Sequence, residues 1–237
     1  MITDIHANLP ALEATLAWID EHEVDSVSCG GDLVGYGPRP NEVCALIAER
    51  GIPTIYGNYD WAIARDEEDC RCAYVDKHDR EIGQLSVNWT LEHTDRRSKD
   101  FMRELPFDLR VELGGKRLRL VHGSPRKVNE YLFEDKPAKT FERIAAGADC
   151  DVLVFGHTHK PWLREYGGVL FVNCGSVGKP KATRAPHFPC SAPATGGSTS
   201  RSRGSTTRRR KSPRRCARSA FRQSSRRSSS LRAEPRR

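Results

Sequence analysis

The chain has 237 residues, a formal net charge of +8 and 30% charged side chains. It is long enough for one domain with a buried core, and no window approaches the roughly 18 consecutive apolar residues of a membrane-spanning helix. Met1 is followed within three residues by Asp4, without the positively charged start and apolar stretch of a secretory signal, so the sequence predicts a cytoplasmic protein.

Charge divides the chain near residue 181. Residues 182–237 carry 15 Arg and one Lys against a single acidic residue, Glu234, which gives this part a net charge of +15. The first 181 residues therefore have a net charge of −7, and the basic total says nothing about them. We predict a folded domain over 1–181 and, over 182–237, an Arg- and Ser-rich disordered tail with too few large apolar side chains to fold.

The first predicted elements alternate between helix and strand. A helix is predicted over 10–21, because Pro10 suits a first helical turn and apolar residues then recur at helical spacing. A buried strand over 24–29, a helix over 41–50 and a strand over 53–56 follow. Alternation of this kind is typical of an α/β fold with a mostly parallel sheet.

The next segment, 62–104, is polar and helical in pattern, and it is predicted to cover or border a site. Its predicted buried anchors are Trp61, Trp89, Leu91 and Phe101. Beyond it the pattern returns to strands, with glycine-bearing turns that indicate hairpins. The predicted elements are a hairpin of 109–113 and 117–121, a helix over 139–146, a strand over 151–155 and a hairpin of 162–166 and 169–173.

Five short segments, each after an apolar run, place Asp, Asn or His in a turn that often bears glycine. Side chains of these types at the ends of neighbouring strands suit a site for two metal ions. In chain order the segments are Asp4-Ile5-His6, Gly31-Asp32-Leu33-Val34-Gly35, Gly57-Asn58-Tyr59-Asp60, Val121-His122-Gly123 and Gly156-His157-Thr158-His159.

This series resembles the signature of the calcineurin-like metallophosphoesterases, most closely the small single-domain bacterial and archaeal members. The resemblance extends from Met1 to about Lys181 and includes a closing glycine-rich turn over 173–178. It implies a four-layer α/β/β/α sandwich, and it implies hydrolysis of phosphodiester or phosphomonoester bonds in small phosphorylated compounds. Oligomeric state does not follow from it.

The resemblance also implies a ligand set for two divalent metal ions. Manganese is favoured, with iron, zinc, nickel or cobalt as alternatives. A hydroxide shared by two such ions would attack phosphorus while the metals neutralise the phosphate oxygens. In this assignment Asp4, His6 and His159 hold the first metal, Asn58, His122 and His157 hold the second, and Asp32 bridges them.

Asn58, Tyr59 and Asp60 are the predicted catalytic residues, and they contain the main departure from the family pattern. Many members carry histidine where this chain has Tyr59. A phenol with a pKa near 10 is poorly matched to proton transfer at neutral pH, so phosphodiesters are favoured as substrates; packing beside Trp61 is the alternative role of Tyr59. Asp60 is predicted to orient a neighbouring ligand. Arg39 is a candidate for substrate binding, with a solvated loop charge as the alternative.

Both ends of the chain depart from the family. Only three residues precede Asp4, so the first strand is predicted to be clipped by a gene start assigned too late. The tail over 182–237 has two interpretations: an out-of-frame coding artefact that also removes the last strands, which is favoured, or a basic arm that binds nucleic acid. If the second interpretation holds, the alternative function is polyanion binding through the tail, with a vestigial phosphoesterase domain.

The eight cysteines lack the spacing of a disulfide framework, which favours reduced thiols. Cys70 and Cys72 are the close pair. Structural zinc sites usually have at least two residues between paired cysteines and a second pair elsewhere, so a zinc knuckle is disfavoured here.

Overall fold

The computed structural model describes residues 1–22, 24–73 and 76–181, and the tail predicted over 182–237 lies outside them. In the described residues no helix has both the length and the apolar character needed to cross a membrane. The α/β class is confirmed. The elements are α1 (Leu9–Glu21), α2 (Pro40–Glu49), α3 (Asn58–Ala64), α4 (Lys77–His93), α5 (Arg96–Arg103), β1 (Asp108–Leu113), β2 (Lys116–Val121), α6 (Ala138–Ala148), β3 (Val152–Phe155), β4 (Trp162–Tyr166) and β5 (Val169–Asn173).

Three extended segments in the first half of the chain pair in parallel. Ile2 pairs with Cys29, and Cys29 with Thr54, through isolated bridges. The pairing continues beyond the first bridge, since the amides of Asp4 and His6 each donate to a carbonyl of the second segment at 2.9 Å. These segments take the place of the first predicted strands and carry the first three motifs into one region.

The predicted strands over 24–29 and 53–56 are wrong in extent. Val24 is 42% exposed, and pairing with the first segment begins only at Ser28. Before Ser28 the segment has only two apolar residues, Val24 and Val27, so its first half has little apolar surface to bury. The later segment is reduced to a bridge at Thr54.

The first two helices are confirmed to within one residue at each end. Helix α1 follows Asn8, whose side-chain oxygen accepts a hydrogen bond from the Ala11 amide at 3.2 Å and caps the first turn. Helix α2 begins at Pro40, where a missing N–H costs no helical hydrogen bond. Both helices bury apolar side chains, such as Leu12 and Val43, against the extended segments.

The helical character of the 62–104 segment is confirmed, but one of its predicted anchors is wrong. Trp89 is 38% exposed, whereas Val87 and Met102 are fully buried. Helix α4 turns Val87 toward the core, so Trp89, two positions later on the helix, falls on the outer side. The other three predicted anchors, Trp61, Leu91 and Phe101, are half-buried.

The second half of the chain forms a five-stranded sheet in the order β1-β2-β3-β5-β4. The two predicted hairpins, β1–β2 and β4–β5, are antiparallel, and β3 joins them through parallel pairing on both sides. Helix α6 covers one face through Phe141, which packs on Trp162, Tyr166 and Phe171. The sheet therefore positions the loops after β2 and β3, which carry the last two motifs.

Candidate metal centre

The seven predicted ligands lie on five loops or helix starts that meet in one buried place. Asn58 is the first residue of α3, His122 follows β2 directly, and the pair from the last motif follows β3. Every one of the seven is less than a tenth exposed. Five of them have left-handed backbone angles although none is glycine: Asp4 at φ +53°, His6 at +50°, Asp32 at +51°, His157 at +64° and His159 at +60°.

Left-handed conformations at non-glycine residues cost free energy, and they persist where the surrounding structure imposes them, often at functional sites. Here tight turns direct these side chains inward, and hydrogen bonds to other segments of the chain hold the backbones of their loops. The amide of Val177, for example, donates to the carbonyl of Thr3 at 2.9 Å, and Gly178 donates to Asp4 at 3.0 Å. The glycine-rich turn near the end of the described chain thus fixes the first ligand loop.

The first ligand group consists of Asp4, His6 and His159. The Nε2 atoms of the two histidines are 3.0 Å apart. Nε2 of His159 is 3.3 Å from Oδ1 of Asp4, and Nε2 of His6 is 3.9 Å from the same oxygen. Two imidazole nitrogens and one carboxylate oxygen therefore converge with the spacing of a cation-binding group.

The second ligand group is built around His122. Its Nε2 lies 3.4 Å from Oδ2 of Asp32, 3.2 Å from Nδ1 of His157 and 3.2 Å from Oδ1 of Asn58. Oδ2 of Asp32 is also 3.7 Å from Nε2 of His6 in the first group. The structure therefore brings the seven side chains together in two neighbouring groups, with Asp32 between His6 and His122.

Each carboxylate offers one oxygen to the centre, because the other oxygen is held by the protein. Oδ2 of Asp4 accepts hydrogen bonds from the Thr3 hydroxyl at 2.7 Å and the His157 amide at 3.0 Å, and Oδ1 of Asp32 accepts one from the Tyr59 amide at 2.9 Å. Among the described residues, buried Oδ1 of Asp4 has no hydrogen-bond partner. A buried carboxylate oxygen that accepts no hydrogen bond from the described residues fits a cation-binding role.

Three of the four histidines are oriented by hydrogen bonds at Nδ1, so that Nε2 faces the centre. The acceptors are backbone carbonyls: Val34 for His6 at 3.1 Å, Gly30 for His122 at 2.8 Å and Lys179 for His159 at 2.7 Å. Hydrogen bonds of this kind fix the tautomer and direction of metal-binding imidazoles.

His157 is turned the other way. Its Nδ1 faces His122, and its buried Nε2 has no hydrogen-bond partner within the described part of the chain. The ring of Tyr131 lies against it, with the two ring centroids 4.0 Å apart. The contact with Tyr131 takes the place of the hydrogen bond that orients the other rings.

The electrostatics of the group favour a bound positive charge. Burial lowers the pKa of His6 to about 4 and that of His157 to about 3, so both imidazoles keep a lone pair for a cation at neutral pH. Burial opposes the charge of His122, but Asp32 and Asp4 outweigh it and raise its pKa to about 10. Burial also opposes the charge of Asp4 and Asp32, but the neighbouring histidines outweigh it and lower the pKa of both carboxyl groups.

Asp60 and Tyr59, both predicted catalytic residues, are fully buried beside the ligands. One oxygen of Asp60 accepts from the Leu33 amide at 2.8 Å and the other from the Gly57 amide at 2.9 Å, so Asp60 ties two ligand loops together. Burial and the charge of Asp32 raise the pKa of Asp60 to about 7. The direct part that Asp60 and Tyr59 play in the chemistry stays a prediction.

Tyr59 lies between the first ligand group and α4. Its ring meets the ring of His6 edge to face with centroids 5.6 Å apart, and its hydroxyl donates to Ser86 at 3.5 Å. Arg39, by contrast, is on the surface, with a side chain that is 58% exposed and a guanidinium 2.8 Å from Glu42. Its part in substrate binding also stays a prediction.

Two features that contact the centre were not among the site residues predicted from the sequence. Tyr131 lies outside all five motifs, and no local pattern points to its contact with His157. The Cys70/Cys72 pair is visible as a spacing, yet only the structure shows that Asn58 donates to both the Cys70 carbonyl at 3.1 Å and Cys72 Sγ at 3.2 Å.

Comparisons with known proteins identify the family of the chain. The family model for the calcineurin-like phosphoesterase superfamily domain matches residues 1–192. An uncharacterised protein of Methanocaldococcus jannaschii is 30% identical over 198 residues, which cover 76% of each chain. The phosphodiesterase YfcE of Escherichia coli is 27% identical over 180 residues, 76% of this chain and 78% of YfcE.

Solved structures give the same result. A metallophosphoesterase from Sphaerobacter thermophilus aligns with a TM-score of 0.57 and 29% identity over 76% of each chain. A hypothetical protein from Pyrococcus horikoshii has the same fold, with a TM-score of 0.66 and 24% identity over 77% of this chain and 78% of that one. The chain therefore belongs to the calcineurin-like phosphoesterase superfamily, and it is a phosphoester hydrolase.

Proposed function

We propose that this protein hydrolyses phosphodiesters with two divalent cations held by the seven predicted ligands. The observation that carries the proposal is the position of Asp32 Oδ2, which lies 3.7 Å from His6 in one ligand group and 3.4 Å from His122 in the other. A carboxylate oxygen shared by two ligand groups suits a dinuclear centre. Within the part of the chain that the structure describes, Oδ1 of buried Asp4 has no hydrogen-bond partner, which supports the same assignment.

The donor types also suit the cations. Asp4, His6 and His159 would hold the first cation, and Asn58, His122 and His157 the second, with Asp32 common to both. When bound, two such cations acidify a water to provide the nucleophile and neutralise the phosphate oxygens. Mixed imidazole, carboxylate and amide ligands are compatible with several metals, of which we favour manganese.

The protein supplies rigidity around this centre. Asp60 holds the loops of Asp32 and Asn58 together through the amides of Leu33 and Gly57, and burial of the ligands excludes competing water. Such fixed positions favour catalysis because the ligands need no reorganisation during the reaction.

Lys179 adds positive charge beside the first ligand group. Its ammonium lies 3.2 Å from the centroid of the Tyr36 ring, whose edge meets the His6 ring with centroids 4.9 Å apart. Partial desolvation of its ammonium lowers the pKa of Lys179, although the residue as a whole is exposed. A cation in this place would attract the anionic phosphate of a substrate.

Preference for diesters over monoesters follows from Tyr59. The phenol occupies the motif position at which many family members have histidine, and it is packed between His6, Gly35 and Ser86. A fully buried phenol is a weak proton donor to a leaving group at neutral pH. Diesters with acidic leaving groups need little protonation, so they suffer least from this replacement.

The test compares bis-p-nitrophenyl phosphate with p-nitrophenyl phosphate, in the presence of Mn²⁺ and after chelation. We expect manganese-dependent turnover of the diester that falls more than about 100-fold in His157→Ala, since even outer partners of metal ligands cost up to that much. His22→Ala is the matched control, because His22 lies at the exposed end of α1. Turnover that survives in His157→Ala, or none from the metal-loaded wild type, would overturn the proposal.

The diester preference has its own test in two substitutions at one position. Tyr59→His should raise the rate with the monoester relative to the diester by about 100-fold, the usual contribution of a general acid. Tyr59→Phe keeps the ring but loses the hydroxyl, and it should leave the diester rate within a few-fold of wild type. A large loss in Tyr59→Phe would show that the hydroxyl takes part directly.

A further inference from the structure

Two cysteines lie together beside the second ligand group. The Sγ atoms of Cys70 and Cys72 are 2.7 Å apart, compared with about 2.05 Å in a disulfide. Cys70 is 3% exposed, whereas Cys72 is half-buried and closer to solvent. The pair therefore has one accessible sulfur and one sheltered sulfur already in contact.

The loop that carries the pair is turned so that both side chains meet. Arg71, between them, has a left-handed backbone with φ +56°. Its amide is held by Asp69 at 2.7 Å, and its carbonyl accepts a hydrogen bond from Asn129 at 2.9 Å. The proximity of the two sulfurs is therefore imposed by contacts outside the pair.

The pair is also connected to the centre through one side chain. The amide nitrogen of Asn58 donates to the Cys70 carbonyl at 3.1 Å and to Cys72 Sγ at 3.2 Å. These two bonds leave Oδ1 of Asn58 pointing at His122 Nε2, 3.2 Å away. The cysteine loop thus orients the amide oxygen that belongs to the second ligand group.

We propose that Cys70 and Cys72 form a modification site, a dithiol that a hydroperoxide oxidises to a disulfide, and that this oxidation weakens the second cation site. The effect on the cation rests on the proposed function; the chemistry of the dithiol does not. Intracellular disulfides are usually transient and redox-sensing, and sensor cysteines are accessible and lie next to a resolving cysteine.

The reaction is balanced in two steps. The Cys72 sulfur attacks the peroxide O–O bond, which gives a sulfenic acid and releases water or an alcohol. The Cys70 sulfur then attacks the Cys72 sulfur and the S–O bond breaks. The hydroxyl group leaves with the Cys70 proton as water. The two thiols lose two electrons in total, and the peroxide gains them.

The consequence for the centre follows from the two bonds that hold Asn58. Closing the contact to bonding distance moves the Cys72 sulfur and the Arg71 turn, and it removes the thiol arrangement that accepts from the Asn58 amide. Partners that orient metal ligands commonly contribute about 10- to 100-fold to metal affinity. We therefore expect oxidation to lower the affinity of the second cation by about that factor.

The first experiment locates the bond. The reduced full-length chain is treated with increasing hydrogen peroxide, remaining thiols are capped with N-ethylmaleimide, and peptides are mapped by mass spectrometry. A disulfide joining Cys70 and Cys72, formed before Cys174 is modified and reversed by dithiothreitol, is expected. If other thiols react first, or no such disulfide forms, the proposal is overturned.

The second experiment measures bound Mn²⁺ by equilibrium dialysis in the reduced and oxidised chain. Wild type should lose affinity at one of two sites on oxidation, Cys70→Ser should show no redox dependence, and Cys174→Ser, in the matched half-buried position, should respond like wild type. Equal affinity in both redox states refutes the coupling. A reduced chain that binds no Mn²⁺ would instead refute the proposed function, while the mapped disulfide would still stand.

Discussion

The substitution Gly57→Ala tests the position of Asp32 by steric means. Gly57 has an extended backbone that alanine also adopts, with φ −92° and ψ −178°. A Cβ there would lie 2.1 Å from Oδ1, 2.4 Å from the backbone nitrogen and 2.7 Å from Cγ of Asp32. The added methyl group therefore displaces both the backbone and the carboxylate of Asp32, while residue 57 itself keeps an allowed conformation.

The size of the effect follows from these distances. Cβ contacts shorter than 3.0 Å are essentially never seen, so Asp32 must move by about 1 Å, and its carboxylate loses the hydrogen bond from the Tyr59 amide. Overpacking costs about 1–3 kcal/mol and the lost hydrogen bond about 1 kcal/mol, so the free energy of unfolding without metal should fall by ~2–4 kcal/mol. A 1 Å misplacement in a reacting centre lowers rates by about 100-fold.

The assays are urea unfolding of the metal-free chain, Mn²⁺ stoichiometry and kcat/KM with bis-p-nitrophenyl phosphate. Gly147→Ala is the matched control, because a Cβ there meets no atom within 4 Å inside α6, and alanine should stabilise the helix by about 0.5–1 kcal/mol. If Gly57→Ala binds two equivalents of Mn²⁺ and keeps its activity within about threefold, Asp32 does not occupy the shared position and the reasoning fails.

Three further predictions concern metal, pH and packing. Chelation should lower the melting temperature, since a cation at 100 times its dissociation constant stabilises by about 2.7 kcal/mol; an unchanged melting curve would argue against a built metal site. The folded pKa of His122, about 10, lies above its ordinary value of 6.5, so protonated His122 stabilises the metal-free chain fully below pH 6.5, and this stabilisation is lost as pH rises toward 10. The free energy of unfolding, measured with urea, should therefore decrease by ~2 kcal/mol from pH 6.5 to 8.5. This decrease should be absent in His122→Gln. Met102→Ala should cost about 2–5 kcal/mol because Met102 is fully buried, whereas Trp89→Ala on the outer side of α4 should cost much less; equal losses would mean that Trp89 is packed in solution.

Local pattern was sufficient for much of this molecule. Helix α1 and the two hairpins are confirmed because their signals, a proline in the first turn and glycines at the reversals, act over a few residues. The ligand types were equally visible, since Asp, Asn and His in glycine-bearing turns after apolar runs are unusual in combination. The structure brings these side chains together in two neighbouring groups, and their assignment to two metal ions stays a prediction.

Elements that depend on distant partners were predicted less well. The exposed Val24 and Trp89 show why: an apolar side chain is buried only if another element covers it, and neither local pattern reports the presence of such an element. The limited pairing of the first three extended segments has the same origin, because strand length depends on the neighbour as much as on propensity.

The sequence by itself determined which side chains are available for metal chemistry and in which order their loops occur. Tertiary structure alone decided which oxygen of Asp4 and Asp32 faces the centre, which nitrogen of His157 does so, and that Cys72 lies against Asn58. Those choices depend on hydrogen bonds and close approaches between segments far apart in the chain. Such contacts exist only when the fold is complete, and no local pattern encodes them.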